Sequence, residues 1–302
     1  MVNAWLAGVT IWVWALVIVQ IRDARWLRVD LLDVGHGDSL VVRTPDRHTL
    51  LVDAGSPEAG RFRVVPFLRH EGITTLDGVI VTHPDGDHLG GALPLLRAIR
   101  VRRLATNGVI GDTALARHLH ALVVARGIAR DVVAAGMTRV VGDIGIDVLH
   151  PPPGLVPGAA ADSNDNSIVL RLTRGAVSLL LTGDIEEAGL PWLLRAPDAL
   201  RANVLKVPHH GSRLGEAGNA FFQAVRPEVA LLSVGRVHHL PSAETLEALS
   251  RTGAVLLSTR DDGAIALRTD GDRLELRAFR RAPRWVPIQL RPEAKSRTMS
   301  AP

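Results

Sequence analysis

Cysteine is absent from the 302 residues, which excludes a disulfide framework and any thiolate metal site. A metal in this chain must be held by His, Asp, Glu or Asn. Lysine is nearly absent too, with only Lys206 and Lys295, so the basic residues are almost all arginine. Arginine suits phosphate geometry, but these residues are scattered along the chain and the net charge is only +4, a poor footprint for a polyanion partner. A long charge-free run occurs once, at Ala4–Ile21. Its 18 residues contain Trp5, Trp12 and Trp14 and fall within the roughly 17–25 that span a bilayer as a helix. Positive charge follows this run at Arg22, Arg25 and Arg28 instead of preceding it, and no small-residue cleavage site is present, so it reads as a retained anchor and not as a signal peptide.

What the chain does have is an alternation of apolar strands and polar turns. Strand-like runs are Arg28–Val34, Ser39–Arg43, Thr49–Val52, Val79–Thr82, Ile146–Leu149, Ser167–Thr173, Val177–Thr182, Asn203–Val207 and Val229–Val234. Helical periodicity marks Arg61–Glu71, Ala92–Ile99, Thr113–Ala125, Ala217–Val225 and Ala243–Arg251. Closely spaced early strands predict antiparallel hairpins feeding a mixed sheet in an α/β domain, not a Rossmann alternation. Residues 1–26 are expected to form the anchor, 27–280 the domain and 281–302 a flexible, proline-containing tail. Pro151–Asp165 reads as a long irregular loop of the kind that often carries function.

The densest chemistry lies in VTHPDGDHLGG, residues 81–91. His83, Asp85, Asp87 and His88 fall within six positions, between an apolar strand and a glycine pair. Imidazole and carboxylate converging from one turn make a ligand set for divalent cations such as Zn²⁺ or Mn²⁺. Four more polar turns close apolar strands: Asp33-Val-Gly-His36-Gly-Asp38, Asp53-Ala-Gly, Thr-Gly-Asp184 and Pro-His209-His210-Gly-Ser. Each alone is a common turn; together they are hard to attribute to packing. Lys206 beside the last of them is a candidate phosphate contact or a solvated strand end.

The order DVGHGDS, LLVDAG, VTHPDGDHLGG, NDNSIVLRL, LLLTGD, LKVPHHGS resembles the metallo-β-lactamase fold, and more closely the C-terminal metallo-β-lactamase-like domain of the DNA-internalisation competence protein ComEC, over residues 29–279. The resemblance implies an αββα sandwich, here preceded by one transmembrane helix, and one or two divalent metal ions (Mn²⁺ or Zn²⁺). The implied ligands are His83, Asp85, Asp87, His88, Asp184 and His210. Asp85 stands where the superfamily has a second histidine, Asp184 matches the carboxylate that bridges two metals, and Asp53 matches an aspartate that orients ligands. Asp87, Asp184 and Asp53 form the expected catalytic acid set. Further candidates are His209, Asn164, Asn166, Ser167, Asp33, His36, Asp38, His239 and Lys206. Leu240 falls where ComEC-like domains carry a GHP histidine, with His239 and His238 just before it; leaving-group protonation is expected to suffer.

The implied activity is metal-dependent phosphodiester hydrolysis. The chain would be a nuclease held at a bacterial cytoplasmic membrane through residues 4–21, acting on DNA beside a competence channel protein. Hydrolysis of another ester or amide, and a non-catalytic role as a channel partner, are the alternatives.

Overall fold

The computed structural model describes Trp5 and residues 25–109, 111, 113–157, 164–236 and 239–291. The expected membrane span at 4–21 lies outside these residues except for Trp5. Among the described residues no helix is long and apolar enough to cross a membrane.

Alternate residues of Leu27–Leu31 and Leu40–Arg43 are apolar, and a strand sends alternate side chains to opposite faces. Here the two faces meet different partners. Leu27, Val29, Leu31, Leu40 and Val42 pack against Ile146, Val148, Leu170, Leu172, Leu179 and Leu181 of a second sheet. Val41, Leu51 and Val79 face the opposite way, onto Val64, Leu68, Leu95, Leu96 and Leu119 of the flanking helices. On the far side Leu180, Leu205 and Ala230 meet Leu190, Phe221, Phe222 and Leu249. Both sheets are therefore covered on both faces, which is why runs such as SLLL read as continuously apolar. The result is the four-layer αββα sandwich.

One sheet has nine strands, in the order Ala282–Ile288, Leu274–Ala278, Ile265–Thr269, Leu27–Leu31, Leu40–Arg43, Thr49–Val52, Gly78–Ile80, Arg103–Thr106 and Ala129–Val132. A second has seven: Val255–Ser258, Val229–Leu232, Val204–Lys206, Val177–Leu181, Val169–Arg174, Ile144–His150 and Thr138–Val141. Each begins as an antiparallel meander and continues as parallel strands, from Thr49–Val52 in the first sheet and from Val177–Leu181 in the second. Parallel strands place their C-terminal loops at one end, and that is where the polar turns gather.

The segment after Arg281 is not a flexible tail throughout. Ala282–Ile288 pairs antiparallel with Leu274–Ala278. Its prolines are tolerated because it is an edge strand with one ladder to satisfy, and the Trp285 ring is covered by the guanidiniums of Arg268 and Arg277, 4.2 and 5.1 Å from its centroid.

Candidate metal centre

Three histidines are fixed from behind, each by its Nδ1. Asp53 follows the strand Thr49–Val52 in left-handed backbone (φ 56). Its Oδ1 accepts from the Thr82 amide at 2.8 Å and its Oδ2 from the Thr82 hydroxyl at 2.7 Å. The same Oδ2 lies 2.9 Å from His88 Nδ1. An ionised carboxylate only accepts, so His88 must carry its proton on Nδ1 and present a lone pair at Nε2 when neutral. The Thr82 hydroxyl uses its one proton as a donor to Asp53. Its oxygen therefore accepts from His83 Nδ1 at 3.0 Å, with Ser167 Oγ a further 3.3 Å contact. His210 Nδ1 donates to the Ser233 carbonyl at 2.7 Å. The three Nε2 atoms are buried, and that of His83 has no hydrogen-bond partner. Buried polar atoms without partners are rare and require explanation.

The Nε2 atoms converge on Asp184, which ends the strand Val177–Leu181. Its Oδ2 is 3.1 Å from His88 Nε2 and 3.0 Å from His210 Nε2. Asp87, on the rim, places Oδ2 3.5 Å from His210 Nε2 and 3.9 Å from His88 Nε2. Donors held at about 2.0–2.1 Å around a tetrahedral ion sit roughly 3.3 Å apart, so these separations fit shared cations. Two groups have ligand atoms within 4.8 Å of one another and face the centre: His83, His88 and Asp184, and His36, Asp87 and His210. A third, Asp38, Asp53 and His88, is already committed, since Asp53 accepts from Thr82 and His88 while Asp38 pairs with Lys206. The residues present thus fit one or two divalent ions held by nitrogen and oxygen.

Lys206 is neither solvated nor open to a phosphate, because its side chain is fully buried. The Nζ donates to the Gly183 carbonyl at 2.8 Å and to Asp184 Oδ1 at 3.2 Å, and it pairs with Asp38. Burial alone would push this ammonium down, but Asp38 and Asp184 more than offset it and hold it above the ordinary lysine range. The same reasoning applies to the imidazoles. Burial, aided by His88, drives His83 down to about 3. Burial opposes charge on His210 and His88, but Asp184 dominates; His210 is pushed up to about 9, and His88 well above its ordinary value with Asp53 assisting. Asp184 itself is held well below the usual carboxylate range by His210, His88 and Lys206, in spite of burial. Without metal, His88, His210 and Lys206 carry protons around the Asp184 carboxylate while His83 is neutral.

Other expected residues sit further out. Asp85 is in neither group, although its Oδ2 is 3.8 Å from His83 Nε2. His209 stands on the rim, with Nδ1 2.6 Å from Glu186 Oε1 and Nε2 4.0 Å from Asp184 Oδ2. Ser167 Oγ belongs to the centre and accepts from the Asp184 amide at 3.0 Å. Asn164 instead donates to Glu186, and Asn166 caps the Val156 amide, so both brace the loop. Asp33 is turned away, bonded to Arg280 and near Arg63. His239 is exposed and joins none of these groups, and His238 lies outside the described residues. Sequence reading overlooked Thr82, the relay between Asp53 and His83. It also overlooked the Ser233 carbonyl and Glu186. Thr82 had a signal, its place beside His83 at the strand end; a backbone carbonyl has none.

His209 and His210 both adopt left-handed backbone, φ 42 and 52. Such residues cost about 1–3 kcal/mol each and cluster at functional sites. The glycine pair after His88 has a packing reason: a Cβ on Gly91 would meet the Ala54 carbonyl oxygen at 1.9 Å, so only glycine lets this turn dock beside Asp53.

The metallo-beta-lactamase superfamily model matches residues 32–236. ComE operon protein 3 of Bacillus subtilis is 35% identical over 260 residues, 80% of this chain and 33% of that protein. Competence protein ComA of Neisseria gonorrhoeae is 30% identical over 78% of this chain and 31% of its own length. Recombination protein 2 of Haemophilus influenzae is 30% identical over 88% of this chain and 32% of its own. This chain thus spans about a third of the length of these relatives. Among solved structures, the metallo-beta-lactamase fold protein YhfI of Bacillus subtilis has a TM-score of 0.52 at 14% identity, covering 80% of this chain and 100% of that one. An E377D mutant of the CmlA beta-hydroxylase has the same TM-score of 0.52 at 14% identity, covering 80% of this chain and 54% of its own. These two share the fold alone. With the sandwich, the strand-end histidines and a family match over more than half its length, the chain belongs to the metallo-β-lactamase superfamily.

Proposed function

We propose that this chain is a divalent-metal-dependent hydrolase of phosphodiesters, a nuclease acting on DNA during uptake. One observation carries the metal reading: three buried Nε2 atoms, each on an imidazole with its Nδ1 pinned, converge on Asp184, whose Oδ2 lies 3.1 Å from His88 Nε2 and 3.0 Å from His210 Nε2. The names of the competence and recombination relatives support DNA as the substrate. The fold itself does not fix the reaction, since a beta-hydroxylase shares it. Bound divalent cations supply an acidified water, with a pKa lowered toward about 7, and charge for a phosphoryl oxygen. His83, His88, His210, Asp87 and Asp184 hold the ions. Asp53 keeps His88 in register and Lys206 holds Asp184. His209, steadied by Glu186 on the rim, supplies a proton to the departing oxygen, a task left open by Leu240. Uncompensated, Asp87 and Asp184 repel a phosphate, so substrate binding follows ion loading. In this proposal residues 4–21 anchor the chain in a bacterial membrane, an assignment supported by their charge-free composition and checked by carbonate extraction of membranes.

The test is incubation of the purified full chain with single-stranded DNA and Mn²⁺ or Zn²⁺, alongside folded Asp184→Ala and His88→Ala variants. Cleavage by the parent alone, abolished by chelator, is the expected result. A metal-loaded parent that leaves DNA intact refutes the nuclease; cleavage of bis(p-nitrophenyl) phosphate by that same protein would retain phosphodiester chemistry.

A further inference from the structure

The loop 33–38 contributes more than support. His36 Nε2 is 3.6 Å from Asp87 Oδ2, and its ring centroid lies 4.3 Å from that of His210. His36, Asp87 and His210 bring one ligand atom each within 4.8 Å of one another. Across this group the buried His210 Nε2 lies 3.5 Å from Asp87 Oδ2. The loop is held there from two sides. A Cβ on Gly37 would meet the Asp87 carbonyl oxygen at 2.1 Å, so the backbone lies directly on the HPDGDH turn. Ser233 Oγ donates to the Gly37 carbonyl at 2.7 Å, and a Cβ on Gly235 would meet the His36 amide nitrogen at 2.9 Å. The His36 imidazole is thus delivered to the rim by contacts with the ligand-bearing HPDGDH turn and with the Ser233–Gly235 loop, whose Ser233 carbonyl holds His210.

We propose that His36 is a protein ligand of the second cation position, completing with Asp87 and His210 a set distinct from His83, His88 and Asp184. The inference rests on the metal reading proposed above. It makes the second position richer in imidazole, which favours a borderline ion such as Zn²⁺ or Co²⁺ over Mn²⁺. Asp184 Oδ2, 3.0 Å from His210 Nε2, stays within reach of both positions.

The experiment titrates the chelator-stripped full chain with Co²⁺, following stoichiometry and the visible spectrum, for the parent, His36→Ala and His36→Gln. Melting in chelator checks that the variants fold. The parent is expected to bind two equivalents, and both variants to bind the second at least about tenfold more weakly with an altered spectrum, leaving the first unchanged. In the parent, the His36 ring ¹⁵N resonance shifts as Zn²⁺ fills the second equivalent; this readout needs no variant. Two equivalents bound identically by parent and variants, with a static His36 resonance, overturn the ligand role while the metal reading stands. A folded parent that binds neither ion refutes the metal reading itself.

Discussion

Replacing Lys206 with methionine isolates the cost of leaving the acids at the centre without their internal cation. Methionine preserves the apolar stem and removes the ammonium, which is fully buried and serves Gly183, Asp184 and Asp38. Asp38 and Asp184 are themselves 1% and 3% exposed, so solvent cannot replace the lost charge. Removing one partner from a buried ion pair destabilises by about 3–5 kcal/mol, because the remaining charge stays buried and unpaired. Set against a total stability of about 5–15 kcal/mol, that is a fifth or more. Urea denaturation of the metal-free chain should therefore show Lys206→Met down by about 3–5 kcal/mol. Combining it with Asp38→Asn removes one of the stranded charges, so the double variant should recover part of the loss. Saturating divalent metal should narrow the gap as well, since a cation on Asp184 Oδ2 partly substitutes for the ammonium on Oδ1. A loss under about 1 kcal/mol, the range of an exposed pair, would refute the buried triad.

Asp53→Asn keeps every proposed ligand but loosens His88, and should weaken metal binding by roughly 10–100-fold in competition with a chromophoric chelator; unchanged affinity would remove Asp53 from the support. The protons on His210, pushed up to about 9, and on His88 must leave when metal enters. Apparent affinity should therefore rise with pH toward about 9, and calorimetry in buffers of different ionisation heat should record proton release, whereas a flat profile contradicts it. Burial holds His150 down at about 4 against an ordinary 6.5. Between those values the unfolded chain takes up a proton that the folded chain refuses, so stability falls by up to about 3 kcal/mol as pH drops through that window. His150→Leu should flatten the fall in urea melts at pH 7 and pH 5.

Periodicity was enough to place Thr49–Val52 and Ala92–Ala98, because alternation and amphipathic spacing are local properties. The strands Ile265–Thr269, Leu274–Ala278 and Ala282–Ile288 escaped it, since arginines, Glu275 and two prolines interrupt the apolar pattern and only tertiary pairing makes them strands. At the site, residue types in HPDGDH and PHHGS pointed to metal without help from the fold. Which turns meet is a different matter. No feature of the sequence says that Lys206 lies under Asp38 instead of in solvent, or that Asp33 turns toward Arg280 while His36, three residues on, reaches Asp87. Those outcomes depend on loops brought together by two separately formed sheets.

The strand Leu27–Leu31 sits in the middle of its sheet, with Leu27 opposite Thr269 on one side and Arg28 opposite Arg43 on the other. During synthesis its hairpin with Leu40–Arg43 emerges early, but its other edge stays unpaired until Ile265–Thr269 has been made. Loop closure over so long a separation is slow, and an open apolar edge is an invitation to other chains. Ribosome-bound intermediates stopped before residue 265 should therefore occupy chaperones and aggregate when released, while those carried past the last hairpin mature. The proposed metal ligands, drawn from both sheets, come into register only after that closure, so on the metal reading ion capture marks the end of folding.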